Sequence, residues 1–110
     1  MSVDSELIAD FLSAAKTYGK CLAEADSRAA NKQHTVMTRL MKKISNVGQD
    51  SNLLAHVRDE DKYIRLCVAS FLAKAYPVEC QPILVDLESS GGPTAISARM
   101  LLDLLKTGRL

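Results

Sequence analysis

Apolar residues recur at steps of three and four along nearly the whole chain. No window alternates with period two for long enough to build a strand. A stripe of that spacing lies on one side of an α-helix and must be covered by a neighbour. The pattern therefore predicts an all-α protein of about six helices packed through their stripes. At 110 residues the chain is long enough for one core and too short for two, so a single domain over residues 1–110 is expected.

The first helix should begin near SVDSE, with Ser2 as cap and Asp4 and Glu6 suited to the positive end of the helix dipole. Its stripe is Leu7, Ile8, Phe11, Leu12, Ala15, Tyr18 and Leu22, and it should end near Ala25. Asp26-Ser27 then reads as break and cap for a second helix over about 28–46. That helix carries Val36, Met37, Leu40, Met41, Ile44 and Val47 inward, and Gly48 sits where a left-handed C-terminal cap is expected. A short helix is predicted over NLLAHV, a fifth over about 79–88 with Pro82 in its first turn, and a last over 93–106 after the breaker SSGGP.

The fourth helix lies in DEDKYIRLCVASFLAKAYP, residues 59–77. On a helical wheel Tyr63, Ile64, Cys67, Val68, Phe71, Leu72 and Ala75 cover about half the circumference, with the small residues Ala69 and Ala73 behind. A helix with so wide an apolar arc and an alanine-lined back is expected to be packed on more than one side. Pro77 must end it. The third-to-fourth and fifth-to-sixth segments both read as a shorter helix, a turn and a more buried helix, with a period of about 30 residues, as in stacked helical hairpins.

DEDKYIRLCVASFLAKAYP resembles the second helix of a HEAT-type repeat, with its acidic first turn, Ile64-Arg65-Leu66 and Ala69 one turn later; Val68 replaces the first of the usual alanine pair. The chain also resembles the small bacterial HEAT-like family called domain of unknown function twenty-nineteen. Residues 53–106 follow that family's order through Arg65, Leu66, Pro77, Leu84, Leu87, Gly92, Ala98 and Leu102, whereas the N-terminal half agrees only in being helical. The resemblance implies a short HEAT-like stack of antiparallel hairpins without conserved catalysis. It also implies a role like that of small immunity proteins, which bind and occlude one cognate bacterial toxin.

Composition narrows the remaining classes. A net charge of +1 gives no global attraction to nucleic acid or anionic membranes, and 5% aromatic residues cannot furnish a base-stacking platform. No stretch approaches the roughly 20 apolar residues of a membrane span, so a cytoplasmic protein is expected. Cys21, Cys67 and Cys80 match neither a disulfide framework nor a CxxC metal site. Cys21 and Cys67 read as small core residues, whereas Cys80, between Glu79 and Gln81, is left as a candidate for exposure. His34 and His56 have no partner at metal-ligand spacing, so neither metal nor cofactor is expected. SSGGPT could rest an anion on a helix start, although a turn needs those residues anyway.

Two groups of residues remain as candidates for function. Asp61 and Arg65, four apart, form an acid-before-base pair expected to tie a turn to the neighbouring hairpin, with partner contact as the second reading. The outer side of the second helix holds Arg28, Lys32, Arg39, Lys42 and Lys43, and no acid occurs between Asp26 and Asp50. Such a block is either a solvated face or an attractor for an acidic protein or a phosphate backbone. The expected function is non-enzymatic binding of a protein partner through Lys32, Arg39, Lys42 and Lys43, then Lys62, Tyr63 and Arg65. A nucleic-acid-binding domain working through the second helix, and a scaffold or oligomerisation module, are the alternatives. A monomer or weak homodimer is expected.

Overall fold

A one-residue cap decides where the first hairpin turns. Asp26 precedes a helix whose first turn has no acid of its own, and its carboxylate accepts the Ala29 backbone N–H at 3.1 Å. In the computed structural model, which describes residues 3–109, this cap separates helix α1 (Val3–Ala23) from α2 (Ser27–Asn46). The expected cap Ser2 lies outside the described residues. Four more helices follow: α3 (Asp50–Leu54), α4 (Lys62–Leu72), α5 (Pro77–Ser89) and α6 (Gly92–Lys106). The fold is all-α, with six helices and no strand among the described residues. None of these helices is long and apolar enough to cross a membrane.

The chain forms two compact units, one ending at Ala55 and the other beginning at His56. In the first, α1 packs along α2. Phe11, Ala14 and Ala15 of α1 are buried, as are Ala30, Met37 and Ile44 of α2. Leu53 of α3 is also fully buried. That helix starts two residues earlier than predicted and is shorter. Asp50 suits the first turn, and the Leu53 N–H reaches back to the Gln49 carbonyl.

Three helices end in the same way. The N–H of the residue after the cap turn bonds back five positions: Asp26 to Cys21, Gln49 to Ile44 and Arg109 to Leu104. Each such turn requires a left-handed residue. Gly48 and Gly108 supply it at φ of 70° and 71°, but Ala25 supplies it at 57°.

In the second unit α5 and α6 form a hairpin, and α4 packs on both. Ile64, Leu66, Cys67, Val68, Ala69 and Leu72 of α4 are all buried, and so is Ala73 just after it, so the alanine-lined back is covered as expected. Two expectations for α5 require correction. Pro77, not Pro82, occupies the first helical position, and Pro82 lies inside the helix. Pro82 cannot donate to the carbonyl four residues back, at Val78, but that residue is exposed and water can serve it. Cys80 is fully buried, because it falls in register with Ile83, Leu84 and Leu87 at spacings of three, four and seven.

Candidate functional site

The face of α2 opposite its buried residues is entirely cationic in its charge. At 100° per residue, Arg28, Lys32, Arg39, Lys42 and Lys43 fall within an arc of about 100°. The arc is centred roughly opposite Ala30, Met37 and Ile44. All five cations are exposed. They span about 22 Å of helix at 1.5 Å per residue, with no carboxylate between them on α2. Close like charges on one helix repel one another, which makes an anionic counterpart favourable.

Along one edge of this face runs an open groove of about 280 Å³ between α1 and α2. Ala14, Val36 and Leu40 give it an apolar floor; Asp10, Ser13, Thr17 and Gln33 give it polar walls. The Thr17 hydroxyl is already committed to the Ser13 carbonyl at 3.1 Å. Sequence reasoning did not single out this groove. Asp10, Ser13 and Thr17 nevertheless share one side of α1 at spacings of three and four, and that polar stripe was its available signal.

The second predicted group lies at the start of α4 and belongs to the other unit. Its residues are held by a self-contained loop. The Asp59 carboxylate accepts the Asp61 N–H at 2.9 Å. The Asp61 carboxylate in turn caps the helix, accepting the N–H groups of Tyr63 at 2.8 Å and Ile64 at 3.2 Å. Arg65 Nη1 closes the loop by donating to the carbonyls of Asp59 at 2.8 Å and Glu60 at 2.9 Å. Both charged side chains therefore hold the turn of their own unit, Arg65 through its Nη1. Of Lys62, Tyr63 and Arg65, only Lys62 is exposed; its Nζ lies 5.3 Å from the centroid of the half-buried Tyr63 ring.

The cysteines and histidines are placed as follows. Burial pushes the Cys67 thiol up to about 12, with the Asp61 charge adding to the shift. The Cys80 thiol is pushed up to about 11, again by burial first and then by Glu79. A thiol held neutral in this way is a poor nucleophile. Cys21 is half-buried, His34 exposed and His56 half-buried. Among the described residues no three His, Cys, Asp or Glu side chains converge to hold a metal ion.

The crystal structure of the protein RPA1889 from Rhodopseudomonas palustris CGA009 shares this fold, with a TM-score of 0.87 at 24% sequence identity. The superposition covers 100% of this chain and 93% of that one. No protein-family model matches the chain, and no curated protein matches it.

Proposed function

We propose that the chain is a non-enzymatic protein-binding module that presents the cationic face of α2 to an acidic surface on its partner. The observation that carries this reading is the uninterrupted run of five exposed cations on one helix face, with no carboxylate among them. Lys32, Arg39, Lys42 and Lys43 make the central contacts. Lys62, beside the ring of Tyr63, offers a further cation on the other unit, and Arg65 contributes by holding the loop in place. Charges of this kind steer encounter more than they add to final affinity. The resemblance to small immunity proteins makes a cognate toxin the most concrete partner, and the mechanism is then occlusion of the toxin's active site by a preformed helical surface.

The test is affinity capture from the native host with nuclease-treated extract, comparing wild type with the Lys42→Glu/Lys43→Glu variant. A protein retained by wild type and lost by the variant supports the reading. Retention unchanged by the double reversal refutes the choice of surface. Binding that disappears with nuclease and falls steeply with salt, whatever the nucleic-acid sequence, assigns the face to a phosphate backbone instead.

A further inference from the structure

The groove between α1 and α2 is bordered by positive charge, because Lys32, Arg39 and Lys43 stand next to Val36 and Leu40 around the α2 helix. Because Asp10 lines the α1 side, a segment that fits it presents an apolar ridge with carboxylates along the flank that faces α2. One helix of this chain has that form. On α5, Val78 is 79% exposed and Val85 is 54% exposed, two turns apart on one face with Pro82 between them. Glu79 and Asp86, also seven apart, run beside this ridge, and Glu88 lies on its other flank. Within α5 there are three acids and no Lys or Arg; within α2 there are five cations and no acid. The ridge and these charged side chains are all exposed in the single chain, and Val36 and Leu40 of the groove are half-buried.

We propose that the α1/α2 groove receives helix α5 of a second copy of this chain. The ridge of Val78, Pro82 and Val85 enters over Ala14, Val36 and Leu40. Glu79 and Asp86 face Lys32, Arg39 and Lys43. The two surfaces differ, so the contact is heterologous: two such contacts close a dimer if their geometry is reciprocal, and otherwise the association continues into a chain. One helix in a groove is a small interface, which places the association in the weak, transient class and makes it dependent on salt. The contact uses the cations assigned above to a partner but does not rest on that assignment. Where a partner exists, self-association competes with it.

The purified full chain tests this by analytical ultracentrifugation at low and high salt. The average mass should rise with concentration at low salt and return to that of the monomer at high salt. Arg39→Glu/Lys43→Glu and Glu79→Lys/Asp86→Lys should each lower the association constant by roughly tenfold or more, since each reverses charges at the contact. All four positions are exposed, so an unchanged circular-dichroism spectrum should accompany the loss, with only a small fall in melting temperature from reversing Lys43 in the last turn of α2 and Glu79 in the first turn of α5 against their helix dipoles. The decisive arm mixes the two variants. The unaltered α2 of the Glu79→Lys/Asp86→Lys variant can then meet the unaltered α5 of the Arg39→Glu/Lys43→Glu variant, the reversed positions also face opposite charges, and association should return only in the mixture. A monomer at every concentration, association indifferent to both reversals, or a mixture that fails to restore it overturns the proposal. None of these results bears on capture of a foreign partner by wild type, which is read in its own experiment.

Discussion

Asp61, the N-cap of α4, and Arg65, four residues on, are each bound to backbone: the carboxylate to the N–H groups of Tyr63 and Ile64, the guanidinium to the carbonyls of Asp59 and Glu60. An acid–base pair in sequence has become two separate clamps on one turn. Asp61→Ala should therefore destabilise by about 1 kcal/mol, the usual cost of a lost N-cap, and Asp61→Asn by less, since the amide oxygen can still accept. Arg65→Ala leaves two carbonyls without their donor and should cost about 1–3 kcal/mol. Urea denaturation of the three variants checks the order.

Ala25 holds the left-handed position that glycine holds at residues 48 and 108. A Cβ in that conformation costs roughly 1–2 kcal/mol, part of which glycine returns through its freer unfolded chain. Ala25→Gly should thus stabilise by about 0.5–1 kcal/mol, and Gly48→Ala should destabilise by a similar amount. Opposite shifts in the denaturation midpoint at matched slope are the expected result.

Thr94, at the start of α6, is fully buried, and its hydroxyl has no hydrogen-bond partner. An unmet buried hydroxyl costs about 1–3 kcal/mol. Thr94→Val keeps the branched shape, removes that cost and should raise stability by about 1 kcal/mol. A lower melting temperature in the valine variant would show that the hydroxyl is satisfied in solution.

The buried thiols set an alkaline limit. Folding raises the Cys67 thiol to about 12 from an ordinary 9.0. The folded state therefore keeps a proton that the unfolded chain gives up above pH 9. The stability this contributes is fully present below pH 9 and declines as pH rises toward 12, by about 1.4 kcal/mol per pH unit while only the unfolded thiol is ionised. Cys67→Ala should be less stable at pH 7 and show a shallower decline above pH 9. In a thiol-reagent assay at neutral pH, the half-buried Cys21 should react first, with Cys67 and Cys80 following only as the protein opens.

How much of this was legible follows from where the signals were local. Asp26 announced the first turn because a cap acts over three residues, and the stripe of α2 separated Met37 and Ile44 from the cations without ambiguity. Pro82 misled because proline is suited to a first turn; with Pro77 five residues earlier already filling that role, the helix ran through it. Cys80 was misread from its polar neighbours, although its spacing to Ile83, Leu84 and Leu87 already placed it inside. The true partners of Asp61 and Arg65 could not be read from residue types, because backbone carbonyls and N–H groups are present at every position. The α1/α2 groove is a property of how two helices meet, which no single stripe displays.

The enclosure of α4 has a consequence for how the second unit opens. A helix covered on nearly all sides cannot detach without exposing Ile64, Leu66, Val68 and Leu72 together, so no partial fraying short of its ends is cheap. Its central amide protons should be the last of that unit to exchange with deuterium, at a rate governed by cooperative unfolding of the unit as a whole. The outer side of α2 shares in none of this burial. Recognition there can be rewritten by charge reversal while the slowest-exchanging protons stay where they are.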